Sequence, residues 1–182
     1  MKIEEYISSL PPSIISGQEV ELLDRPLREI FRFANLKQGD VFYHLGCGTG
    51  QSLTIAAKEF GARAIGIDND IDKISKIEKD SKITARCEDI INSDLSDATV
   101  ILFWFSDEGV IKKMHEKFSY LKSGCKVITI FDPLPGTIPN KVSFPYLLHQ
   151  TPFIKAKNLK DQIKAVFETR SEEHTSELQS QF

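Results

Sequence analysis

The chain has 182 residues, 41% of them hydrophobic and 27% charged, with a formal net charge of −3. That is enough chain for one domain with a buried core, and the acid excess argues against a nucleic-acid binder, whose surface is usually basic. No apolar run approaches the roughly 20 residues of a membrane span, the start MKIEEYISSL lacks a secretory signal's apolar core, and the three scattered cysteines fit the reduced thiols of a cytoplasmic protein.

Residues 1–24 read as an N-terminal extension. RPLREIFRFANL (25–36) has the period of an amphipathic helix, with Pro26 in its first turn. DVFYHL (40–45) is strand-like and runs into Gly46, Gly48 and Gly50. TGQSLTIAAKEFGA then puts Leu53, Ala56, Ala57 and Phe60 on one helical face, with Gly61 as its stop. RAIGID (63–68) is a second strand. NDIDKISKIEKD places Ile71, Ile74 and Ile77 at helical spacing behind Asp70 as N-cap. ITARC (83–87) reads as a third strand and ATVILFWF (98–105) as a fourth, apolar enough to be buried on both faces. DEGVIKKMHEKFSYLKSG carries Val110, Ile111, Met114, Phe118 and Leu121 on one face and closes at Gly124. KVITIF (126–131) is a fifth strand.

Past the proline-rich DPLPGTIPN, the segments PFIKA and IKAVFE read as two strands of an antiparallel hairpin at the sheet edge. The alternation as a whole predicts an α/β fold, a doubly wound, mostly parallel sheet with helices on both faces, occupying 25–169. RSEEHTSELQS, Arg170 to Ser180, is similar to the translation of a sequencing adapter. We therefore expect 170–182 to be unstructured and the native C-terminus to be missing. Leaving Arg170, Glu172, Glu173 and Glu177 out makes the rest nearly neutral.

The glycines of HLGCGTG stand between a strand and a helix. Glycine permits positive φ and lets main chain approach a ligand, and the helix N-terminus behind it offers free N–H groups. Ligands of open parallel sheets bind at the carboxyl ends of the strands. Asp68, in GIDND at the end of the second strand, is placed to accept from both hydroxyls of a ribose. Asp89, in CEDI at the end of the third, is placed to accept from an adenine amino group, with Ile90 packing on the ring. Together these features describe a nucleoside carrying a small anionic group. A dinucleotide oxidoreductase would prefer G-x-G-x-x-G, whereas this turn is G-x-G-x-G followed by Gln51 and Ser52.

HLGCGTG, GIDND and CEDI resemble successive cofactor motifs of the Rossmann-like, class I S-adenosylmethionine-dependent methyltransferases, over about Arg25 to Glu168. The layout is also similar, more loosely, to small archaeal protein-lysine methyltransferases. The resemblance implies S-adenosyl-L-methionine as cofactor, with the methionine part against Gly46, Cys47, Gly48 and Gly50, ribose at Asp68 and Asn69, and adenine at Asp89 and Ile90. His44 stands where the family has an acid near the cofactor's ammonium. A neutral imidazole there still accepts a hydrogen bond, while a protonated one repels the cation, and the ordinary histidine pKa is about 6.5. Phe105, Ser106 and Asp107, after the fourth strand, are the expected wall of the acceptor site, with Phe105 also touching the cofactor and Asp107 orienting or deprotonating an amine. Asp132 is a second candidate. No metal site is expected. The implied partner is a methyl acceptor, a protein lysine ahead of a small molecule, rather than nucleic acid or membrane. The alternative is a degenerate, non-catalytic binding module of the same fold.

Overall fold

The computed structural model describes residues 21–167. Most of the N-terminal extension and the adapter-like tail lie outside the described residues. The first helix, α1 (Asp24–Phe33), buries Leu27, Ile30, Phe31 and Phe33 along one side. Strands and helices then alternate as β1 (Val41–Leu45), α2 (Gln51–Phe60), β2 (Arg63–Asp68), α3 (Ile71–Ser75), β3 (Ile83–Cys87), β4 (Val100–Phe103), α4 (Glu108–Ser119) and β5 (Lys126–Ile130). The chain continues through β6 (Thr137–Ile138), β7 (Lys141–Ser143), β8 (Tyr146–Gln150) and β9 (Ile154–Lys155) into a helical stretch at 159–167.

Seven strands form one sheet in the order β3-β2-β1-β4-β5-β8-β7. The first five are parallel, β8 is antiparallel to β5, and β7 to β8. The expected doubly wound sheet with an antiparallel edge hairpin is therefore present. Strand alternation sends side chains to two cores. On one face Phe42 and Leu102 meet α1 and α2, with Phe31 edge-on to Phe42 at 4.9 Å. On the other, Tyr43, Ile101 and Phe103 meet Met114 and Phe118 of α4, with Phe103 edge-on to Phe118 at 5.2 Å. β2 and β4 leave β1 in opposite directions, so the strand order reverses at β1, where open α/β sheets form a ligand crevice. Among the described residues no helix is long and apolar enough to cross a membrane.

The edge hairpin is built from other residues than expected. It is β7 and β8, in the stretch between the proline-rich DPLPGTIPN and PFIKA, where the sequence predicts no element, whereas PFIKA supplies only β9, paired with β6 in a separate two-stranded sheet. IKAVFE is helical as far as 167. Its buried neighbours Gln162 and Val166 are four residues apart, a helical period, and the Gln162 amide donates to the Leu134 and Thr137 carbonyls at 2.9 and 2.8 Å. These bonds fasten the stretch over the loop after β5. Two helices are also shorter than their apolar periods. α3 ends at Ser75, before Ile77, and α4 ends at Ser119, before Gly124.

His149 in β8 is fully buried. Its Nε2 accepts from the Leu134 N–H at 3.2 Å, so Nδ1 carries the proton and donates to Thr137 Oγ1 at 3.0 Å. The Thr137 hydroxyl in turn donates to the Leu134 carbonyl at 2.8 Å. No lone pair is left for a second proton. Burial, with His115 adding repulsion, lowers the His149 pKa to about 3. The unfolded chain takes up that proton near pH 6.5, so it binds more protons than the folded chain between the two values, and stability is lost as pH falls through that window. Urea unfolding should therefore show a loss of about 2 kcal/mol from this histidine between pH 7 and pH 5. A midpoint unchanged over that range would contradict the assignment.

Candidate functional site

The turn after β1 is held from both sides. Gly46, Gly48 and Gly50 have φ of 75°, 54° and 83°, the left-handed region open to glycine. The Gly46 and Cys47 amides both donate to the Ile67 carbonyl, at 2.8 and 3.2 Å, so the turn folds back onto β2. That approach needs Gly66. A Cβ there would lie 2.5 Å from Leu53 Cδ1 and 2.6 Å from Cys47 Sγ. The third tie is Asp68, whose Oδ2 accepts from the Gly48 amide at 2.9 Å while Oδ1 accepts from the Asp70 amide at 3.0 Å.

These elements frame a crevice of about 830 Å³ across the carboxyl ends of β1 to β4. His44, Gly46, Cys47, Gly48, Asp68, Asn69, Asp89, Ile90 and Phe105 all line it. Gly50 does not, and serves as the N-cap of α2. Asp89 Oδ1 accepts from the Ile91 amide at 2.9 Å, which fixes its carboxylate at the β3 end, with Ile90 buried beside it. Ser106 and Trp104 line the β4 side. Phe105 stacks on Phe103 at 5.0 Å, and its ring edge lies 3.1 Å from where a Cβ on Gly46 would stand. Asp107 stays outside the lining and is the N-cap of α4, its Oδ1 accepting from the Val110 amide at 2.8 Å. Asp132 is exposed and also outside it.

His44 Nδ1 lies 2.6 Å from Ser52 Oγ. Desolvation lowers its pKa to about 4, against the opposing pull of Asp68. The ring is therefore neutral through mild acid, well below the ordinary histidine range. The buried Cys47 thiol is pushed up to about 12 by desolvation and by Asp68, so it is a protonated, unreactive wall.

Five polar lining residues were not singled out by sequence: Glu21, Gln51, Ser52, Lys73 and Glu88. Glu21 Oε1 accepts from the Thr49 amide at 3.1 Å and from Thr49 Oγ1 at 2.9 Å. Nothing local in VELLD marks that contact, which spans 28 positions. Ser52 had a signal, being in the first turn of the helix behind the glycines. The set of main-chain amides, fixed carboxylates and an aromatic face suits a ligand with hydroxyls, an amino-bearing ring and a charged end.

No protein-family model matches the chain. A protein-lysine N-methyltransferase of Saccharolobus islandicus is 28% identical over 130 residues, 65% of this chain and 79% of that protein. Among solved structures, an RNA methyltransferase of Salinibacter ruber in complex with S-adenosyl-L-homocysteine superposes with a TM-score of 0.65 at 23% identity, over 77% of this chain and 96% of that one. Phosphoethanolamine N-methyltransferase 2 of Haemonchus contortus, in complex with S-adenosyl-L-methionine, gives 0.52 at 22% identity, over 58% and 27%.

Proposed function

The chain has the Rossmann-like fold of the class I S-adenosylmethionine-dependent methyltransferases, and from that premise we propose that it methylates an acceptor amine, a protein lysine ahead of a small molecule. The observation that carries the reading is the joining of the glycine turn, Asp68 and Asp89 in one crevice, with the Asp68 carboxylate bonded to the turn itself.

The residues fit S-adenosylmethionine. Asp68 keeps lone pairs on both oxygens after accepting the Gly48 and Asp70 amides, enough for two ribose hydroxyls. Asp89 does the same for an adenine amino group, and Ile90 packs on the ring. Gly46 and Gly48 leave main chain bare toward the amino-acid end. The bound cofactor supplies an electrophilic methyl on a sulfonium. The protein's task is then to align an acceptor lone pair and exclude water, which Phe105 and Trp104 serve as apolar walls. A lysine acceptor has a free pKa near 10.4, and an apolar wall favours its neutral form. Asp107 is occupied as a helix cap, so acceptor positioning falls to Phe105 and Ser106. Support for lysine comes from the Saccharolobus islandicus relative.

One observation favours a second reading, a non-catalytic module, namely His44 in place of an acid. Incubation with S-adenosylmethionine radiolabelled at the methyl group, together with a cell lysate, separates the two. Label should enter the protein fraction. Label in small molecules instead would move the acceptor class. Cofactor binding without label would favour the module, and absence of cofactor binding would end the methyltransferase reading.

A further inference from the structure

We propose that Glu21 is the anionic partner of the α-ammonium group of the bound cofactor, in a crevice with His44 near the end of its first strand. The inference rests on the methyltransferase reading above. With the sheet ordered β3-β2-β1-β4, adenine at Asp89 and ribose at Asp68 leave only the β1 and β4 side for the amino-acid half of the ligand. An ammonium brought there from water loses hydration, and an unpaired charge in such a place is costly. His44 brings no negative charge to offset it, since its ring is neutral and its Nδ1 is engaged with Ser52. Asp89 and Glu88 belong to the end of β3, and Asp68 is given to ribose.

Glu21 stands on the required side. It lines the crevice with His44 and Gly48, and a Cβ added to Gly48 would come within 2.9 Å of its Oε1. Thr49 fixes that oxygen with two hydrogen bonds. Among the described residues Oε2 has no hydrogen bond, so one oxygen anchors the side chain and the other is open. Gln51 Nε2 donates to Asp24 Oδ1 at 2.6 Å. The stretch Glu21–Asp24 is thus tied at both ends to the glycine turn and the first turn of α2, a strap that carries its carboxylate to the ligand.

Glu21→Gln tests this, because the amide keeps an oxygen for Thr49 and loses only the charge. Two probes are titrated by calorimetry: S-adenosylhomocysteine, which has the ammonium, and 5′-methylthioadenosine, which lacks the whole amino-acid part. The variant should bind S-adenosylhomocysteine roughly tenfold more weakly and 5′-methylthioadenosine as the wild type does, the second ligand doubling as a control for folding. Equal losses on both, no loss on S-adenosylhomocysteine, or a gain would overturn the proposal. Wild-type protein that binds neither ligand would overturn the methyltransferase reading, and this inference with it.

Discussion

Asp68→Ala is expected to weaken S-adenosylhomocysteine binding by about a hundredfold or more, because two hydrogen bonds to a charged acceptor are lost, each worth about tenfold or more. The same change strips the Gly48 and Asp70 amides of their acceptor, so the glycine turn loses one of its ties to β2. Asp68→Asn should fall between wild type and alanine. Its single oxygen can serve only one side of the carboxylate's present bonding, and its amide hydrogens clash with a second N–H donor. Calorimetric titration reads both variants directly, and thermal unfolding checks that the sheet survives. Affinity within threefold of wild type for Asp68→Ala would remove Asp68 from the binding site.

The second large effect is on the fold itself. Gly66→Ala puts a methyl group 2.5 Å from Leu53 Cδ1, 2.6 Å from Cys47 Sγ and 3.0 Å from Cys47 Cβ. Leu53 and Cys47 are buried, at 0% and 5% exposure, so neither can swing out to solvent. Overpacking of this kind costs about 3 kcal/mol, which for a chain of this size lowers the midpoint of thermal unfolding by roughly 6–12 °C. The displaced atoms belong to α2 and to the glycine turn, so cofactor affinity should fall as well. A paired change checks the cause. Leu53→Ala alone leaves a hole, but Leu53→Ala with Gly66→Ala fills part of it. The double variant should be clearly less destabilised than the sum of the singles. Strict additivity would mean that the two positions do not meet.

The parts of this site that sequence revealed are those written within a few residues of one another. The glycine turn, GIDND and CEDI each sit where a strand ends, and alternating strand and helix patterns are enough to bring three strand ends together. Glu21 was not legible, because its bond to Thr49 depends on how α1 packs against α2. That His44 stays neutral well below the ordinary histidine range was not legible either. Its charge is decided by burial against the opposing pull of Asp68, and a sequence carries only the ordinary pKa. Gly66 was legible in principle, since a lone glycine inside a strand marks a close approach. The edge hairpin was misplaced for a plain reason. Pro139, Pro145 and Pro152 flank β7 and β8, and prolines at that density read as loop although each lies just outside a strand. In IKAVFE, β-branched and aromatic residues imitate a strand, while the burial of Gln162 and Val166 follows a helix.

The two main-chain bonds to Asp68 have a bearing on how a ligand is captured. The orientation of that carboxylate is chosen when the chain folds, so the rotamer entropy of fixing it is already spent before any encounter. On the proposed reading, recognition of the ribose by Asp68 then needs no local rearrangement, and adenosyl compounds as a group would meet a receptor shaped in advance.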